Sequence, residues 1–335
     1  MSAPAAAKAD RLARLVEAVR ARHTGADGDA IATLAAALFS KDGEDYASEL
    51  GDDAAAALVV HTFRFLAAGG AVPRVRTFTP SAVADGWPGD ATVLETVMPD
   101  RPFIVDTIRE YLRAEGVEVQ HLLHPLLATV REPTTDPAGQ GRLQQVRPPD
   151  DGGGRESLVH AVLEPLAPER RAALEADVAA RLADLQLVTD DFPALIGATE
   201  AVIDHIERYK GGGAAWNEEV QEVQELLRWL MRGGFVFLGY RSVSLEDRDG
   251  VATLAIDADS GLGLLRRTER SHYAKPTPVT AIPEPVRSRI VGGPLLGIAR
   301  TTDYAPIHRH ARMDYVGVKK LDQSGRVRGE FRLLG

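Results

Sequence analysis

The 335-residue sequence has no cysteine. Disulfides, thiolate nucleophiles, cysteine-ligated zinc and iron–sulfur clusters are therefore excluded. It is short of basic residues, with 39 Lys and Arg against 48 Asp and Glu and a formal net charge of −9. That balance argues against a protein that holds nucleic acid by its overall charge. No stretch approaches the roughly 18 consecutive apolar residues that a membrane-spanning helix needs. The opening residues likewise lack the continuous apolar core of a signal peptide, so a cytoplasmic location is expected. No G-x-G-x-x-G stands between a strand and a helix, which leaves the chain without the usual cradle for a dinucleotide pyrophosphate. Gly211-Gly212-Gly213 and Gly261-Leu262-Gly263 read as loop glycines, and Gly292–Gly297 lacks the Lys-Ser/Thr of a phosphate loop. HExxH is absent too, and neither His121/His124 nor His308/His310, which alternate as if on one side of a strand, comes with a carboxylate at a ligand spacing.

The remaining composition is globular, with 44% hydrophobic and 26% charged residues, and the length suggests about two domains. Leu12, Leu15, Val16 and Val19 fall at helical spacing behind Asp10, a residue suited to an N-cap. Two more helices follow, at Ile31–Phe39 and Asp53–Ala68, and Pro73–Thr79 reads as a short extended piece. Ala91–Met98 is β-branched enough for a strand, broken by Pro99-Asp100-Arg101-Pro102. A helix over Phe103–Glu115 ends at Gly116, and an extended run over Val117–Val130 bends at His124-Pro125. Residues 133–154 read as an exposed loop, Ser157–Glu164 as a strand and Pro168–Leu187 as a helix. The order strand, helix, strand, strand, helix fits an α+β sandwich with helices on one face of a largely antiparallel sheet.

Further on, Asp191–Tyr209 and Glu218–Arg232 read as helices, the second capped by Asn217 and carrying an inward Trp229. Phe235–Leu245, Val251–Ile256, Leu295–Thr301, Tyr315–Leu321 and Val327–Leu334 read as strands, the last two joined by the turn Asp322-Gln323-Ser324-Gly325. Gly335 directly follows the apolar Phe331–Leu334, so the chain reads as cut at its C-terminus.

Several stretches, in this order and spacing, resemble the N-terminal region of the large bacterial NAD-specific glutamate dehydrogenases. They are Asp100–Thr107 (DRPFIVDT), His121 with His124–Leu127, Glu156–His160 (ESLVH), Leu227–Leu230 (LRWL), Gly234–Arg241 (GFVFLGYR), Gly261–Leu265 (GLGLL) and Met313–Lys319 (MDYVGVK). The resemblance implies ACT-type βαββαβ modules, NAD as the cofactor of the parent enzyme with none in this segment, and oxidative deamination of L-glutamate to 2-oxoglutarate and ammonia as the parent reaction. It also implies a downstream catalytic domain as partner, a homo-oligomer, and an amino-acid effector.

The expected organisation is a helical segment over 1–85, an ACT-like domain over 86–190, a helical linker over 191–233 and a second mixed α/β domain over 234–335. Asp100, Arg101, Pro102 and Asp106 are the expected effector-binding residues. The first two would meet the amino and carboxylate ends of an amino acid beside free N–H groups at the helix start. The competing reading has Asp100 as a helix cap, with Pro102 in the first turn. Effector-binding ACT domains often place glycine after such a turn, and Phe103 stands there instead. Two functions stay open: a non-catalytic regulatory region that senses an amino acid, or a structural oligomerisation module that binds none. A third, a stand-alone amino-acid-binding protein, requires the chain to end at Gly335.

Overall fold

A computed structural model describes residues 3–23, 25–40, 43–87, 89–135, 139–148, 154–248, 251–257, 259–266 and 284–335. The chain divides into two units, Met1–Ala183 and Asp184–Gly335.

The first unit begins with helices α1 Ala3–Arg22, α2 Ala26–Leu38, α3 Gly43–Leu50 and α4 Asp52–Ala67. Helix α1 starts well ahead of Asp10, so Asp10 does not cap it. Then come β1 Gly70–Ala71, β2 Arg74–Phe78, β3 Thr92–Pro99, α5 Ile104–Ala114, β4 Val119–Leu123, β5 Leu126–Arg131, β6 Gly139–Gln140, β7 Leu143–Arg147, β8 Gly154–Leu163 and α6 Pro168–Glu207, which runs on into the second unit. The main sheet has the order β2-β3-β8-β5-β7, with β4 also on β8, and every pairing is antiparallel.

Strands β4 and β5 follow one path along β8, interrupted at His124-Pro125. Pro125 has no N–H to give, but its carbonyl accepts from Leu158 N–H at 3.2 Å. The expected loop over 133–154 is partly a strand instead. In β7, Leu143 and Val146 pack toward the apolar core, and this anchorage outweighs the polar composition around them.

Side chains on a strand alternate between faces. Val97, Leu158 and Val162 join the core of the N-terminal helices with Leu34, Phe39, Leu58 and Leu66. The alternate residues Leu94, Met98, Val159 and Ala161 are equally buried but stand outside that cluster, as do Ile108, Tyr111 and Leu112 of α5 and Val178 and Leu182 of α6. The sheet is therefore covered on both faces. Helices α5 and α6, the pair belonging to the βαββαβ order, are tied together by Tyr111 Oη donating to Asp177 Oδ2 at 2.8 Å. Helices α1–α4 close the face that the expected one-sided arrangement leaves open.

The interruption expected between the helices Pro168–Leu187 and Asp191–Tyr209 is absent, and one helix covers both. Pro193 lies inside α6, where it removes one hydrogen bond without ending the helix. The second unit continues with α7 Ala214–Trp229, β9 Gly239–Arg248, β10 Val251–Ile256, β11 Leu262–Gly263, α8 Glu284–Gly292, β12 Leu296–Tyr304, β13 Arg312–Leu321 and β14 Val327–Leu334. Its antiparallel sheet has the order β10-β9-β14-β13-β12, with β11 on β9. One face packs Tyr240, Val316, Val318 and Leu333 against Leu195, Ile206, Val220 and Leu227 of α6 and α7.

Helix α7 starts at Ala214 after Gly213, and Asn217 is no cap: its Oδ1 accepts from Gly211 N–H at 2.7 Å. Trp229 is 58% exposed, contrary to expectation, because it sits off the Val220–Val223–Leu227–Leu230 stripe and lies against Gly234. Phe235–Leu238 precede the strand but are core in part, with Phe237 and Leu238 buried. His308 and His310 lie in a bend rather than a strand, with the His310 ring stacked on Tyr304 at 4.5 Å. The turn between β13 and β14 is held by Asp322 Oδ1, which accepts from the N–H groups of Ser324 and Arg326. In β14 a Cβ at Gly329 would collide with the Val243 carbonyl oxygen of β9. Gly329→Ala is therefore expected to cost about 1–3 kcal/mol, read as a lower midpoint in urea unfolding.

Candidate functional site

The junction of β3 and α5 borders a groove of about 620 Å³. Its walls come from the start of α5, from the bend between β4 and β5, and from the α2–α3 connection at Leu38, Ser40 and Gly43. Arg101, Phe103, Asp106 and Arg109 line it on the α5 side, and His124 on the strand side. Two guanidinium groups, one carboxylate and one imidazole thus meet around one opening. Burial holds His124 below its ordinary value, with Asp100 opposing and Arg109 adding to the shift. The ring is therefore neutral at pH 7, and its Nε2 lies 2.8 Å from Ser157 Oγ.

The geometry separates the four expected residues. Arg101 and Asp106 line the groove, whereas Asp100 and Pro102 do not. Asp100 faces β8: its N–H donates to Arg155 O at 2.8 Å, and its carboxylate lies 3.8 Å from Arg155 Nε. It does not cap α5. The residue at that position is Phe103, in the left-handed region at φ 73°, with no side-chain cap. The backbone keeps a conformation that glycine adopts without cost, while a ring occupies it. Phe103→Gly is expected to be more stable than Phe103→Ala by about 1 kcal/mol, because both lose the ring and only alanine keeps the strain. Comparing the two variants in denaturant checks this.

Arg109 is not among the residues the sequence singles out, and His124 is expected there as a bend in the strand and not as a groove residue. Arg109 lies three positions after Asp106, the spacing of one helix face, and was open to inference. His124 reaches the groove because the strand bends there. The wall from α2 and α3 belongs to another layer and carries no local signal. Among the described residues no group of three His, Asp or Glu is placed to hold a metal ion. His121 instead lies 3.0 Å from Glu49 and stacks on Tyr46.

Elsewhere in the first unit, two buried carboxylates join the sheet to α4. Glu95 of β3 is fully buried opposite His160 of β8. It accepts from Thr62 Oγ1 at 2.6 Å and from Arg76 Nε at 2.7 Å, and lies 2.8 Å from His160 Nδ1. Burial pushes Glu95 up, but the His160 hydrogen bond and charge, Arg76 and Thr62 outweigh it and hold the carboxyl at about 2. Glu156 of β8 accepts from Arg131 Nη2 and Thr129 Oγ1, at 2.7 and 2.8 Å. The last carbonyls of a helix lack partners within it and carry its negative dipole end. At α4 two arginines take them, Arg74 on Phe65 O, Leu66 O and Ala68 O and Arg131 on Leu66 O, while Arg76 donates about one turn earlier, to His61 O.

Residues 34–178 match the family model described as glutamate dehydrogenase, ACT1 domain. The chain is 29% identical over 272 residues to the NAD-specific glutamate dehydrogenase of Pseudomonas aeruginosa, a match covering 78% of this chain and 16% of that protein. It is 27% identical over 281 residues to the same-named protein of Halomonas elongata, with the same shares. To that of Mycobacterium tuberculosis it is 29% identical over 187 residues, 55% of this chain and 11% of the relative. The match thus spans only 16% of the length of the first two curated relatives.

Proposed function

We propose that this chain, a segment of the NAD-specific glutamate dehydrogenase family carrying the ACT1 domain, is the N-terminal regulatory and assembly region of such an enzyme. The parent reaction is the oxidative deamination of L-glutamate to 2-oxoglutarate and ammonia with NAD. The segment itself is non-catalytic and works from the cytoplasm as part of a homo-oligomer, biasing a catalytic domain elsewhere in the same enzyme. The β3–α5 groove is its effector site. The observation that carries this reading is the meeting of Arg101, Arg109 and Asp106 around one opening. Guanidinium groups suit the carboxylate of an amino acid, and a carboxylate suits its ammonium.

On this account the purified 335-residue chain forms no NADH from glutamate and NAD. One or more amino acids raise its melting temperature in a saturable way, because a ligand that binds only the folded state stabilises it. Glutamate-dependent NADH formation by the chain alone would contradict the proposal, and so would a melting temperature that no amino acid moves.

A further inference from the structure

A second groove, of about 350 Å³, lies in the first unit and shares no lining residue with the one at β3–α5. One wall is the face of α4 that carries Ala56, Val60, His61 and Arg64 at helical spacing. The others are the end of α1, at Val19 and His23, and the turn over 81–86. That turn is firmly held. Asp85 N–H donates to Ser81 O at 2.8 Å, and Ser81 N–H donates back to Asp85 Oδ2 at 2.8 Å. The remaining oxygen of Asp85 lies 3.1 Å from His61 Nε2, so its carboxylate is already satisfied. Asp53, at the far end of the α4 wall, also has a partner.

The donors differ. Arg64 and His23 line the same groove, and neither side chain has a hydrogen-bond or ion-pair partner among the described residues. The floor between them is apolar and made of small side chains: Val19, Ala56, Ala57 and Val60. An apolar floor of this size with a few convergent polar groups is the ordinary form of a small-ligand site. Arg64 is exposed and brings to the groove a guanidinium that no carboxylate among the described residues pairs with, so its complement is an anion. From these observations we infer that the α1–α4 groove binds a small monocarboxylate with a branched apolar tail, its carboxylate on Arg64 and His23 and its tail on Val19, Ala56 and Val60. The groove adjoins the buried network, since His61 Nδ1 lies 3.2 Å from Arg76 Nη2, and Arg76 holds Glu95 in the sheet. This inference does not depend on the effector role of the other groove.

Isovalerate titrated into the 335-residue chain tests it by calorimetry. Isovalerate is expected to bind, whereas isovaleramide, without the charge, and acetate, without the tail, bind at least roughly tenfold more weakly. Arg64→Ala weakens isovalerate by at least roughly tenfold while the far-UV circular dichroism and melting temperature stay as in the parent chain. Val60→Phe fills the groove and has the same effect from the apolar side. A chain that gives no heat with isovalerate overturns the inference. So does an amide that binds as well as the acid, or an Arg64→Ala chain that binds isovalerate unchanged.

Discussion

Glu95→Ala is expected to destabilise the first unit by about 3–5 kcal/mol, lowering its melting temperature by roughly 6–20 °C. Removing one partner of a buried ion pair leaves the other charge without compensation, and here several groups are stranded at once. Thr62 and His160 are fully buried, and both lose their acceptor together with the Arg76 guanidinium. Thermal unfolding of the variant beside the parent chain reads the effect. Glu95→Gln keeps the shape and loses the charge, which separates electrostatics from packing, and it carries a pH signature. The folded carboxyl sits at about 2, below the roughly 4.3 of an unfolded glutamate. Its contribution is therefore complete above the unfolded value and is lost as the pH falls through the folded one. The stability gap between parent and Glu95→Gln should be constant near neutrality and shrink from about pH 4.3 down to about 2.

Arg131→Ala should be nearly as severe, at about 3–5 kcal/mol. Arg131 and Glu156 have side chains 9% and 4% exposed, so the pair is shut off from water. Removing the arginine strands the Glu156 carboxylate and the Gly141 carbonyl, and it takes one of two donors from the Leu66 carbonyl at the end of α4, which keeps Arg74. Glu156→Ala strands the arginine instead. The double variant Arg131→Ala/Glu156→Ala should lose less than the sum of the two single changes, because no unpaired charge stays behind. Simple additivity in urea unfolding would show that the pair does not act as a unit.

Much of the ACT-like core was legible from periodicity. The β-branched Ala91–Met98, the helix stripe Ile104–Ile108–Tyr111–Leu112 and the break at His124-Pro125 each carry a local signal, and each recurs in the structure. What escaped depends on partners remote in sequence. Leu143 and Val146 form a strand because β5 and the N-terminal core receive them, although the flanking residues read as loop. Pro193 stays within a helix. Glu95 and His160 read as one polar residue in each of two strands, and only the pairing of β3 with β8 sets them opposite each other. At the candidate site, Arg101 and Asp106 were open to inference from the turn and the helix start. Asp100 stands outside the groove lining because Phe103, in a conformation rare for a bulky residue, begins the helix, and Asp100 lies toward Arg155.

The most direct test of the regulatory reading is a calorimetric titration of a panel of amino acids into the 335-residue chain, repeated with Arg101→Ala and Arg109→Ala. The account predicts saturable binding of at least one amino acid by the parent chain, weakened by at least roughly tenfold in each variant. Heat from no member of the panel, or binding that both variants leave intact, would contradict it and leave the ACT1 domain as a structural module.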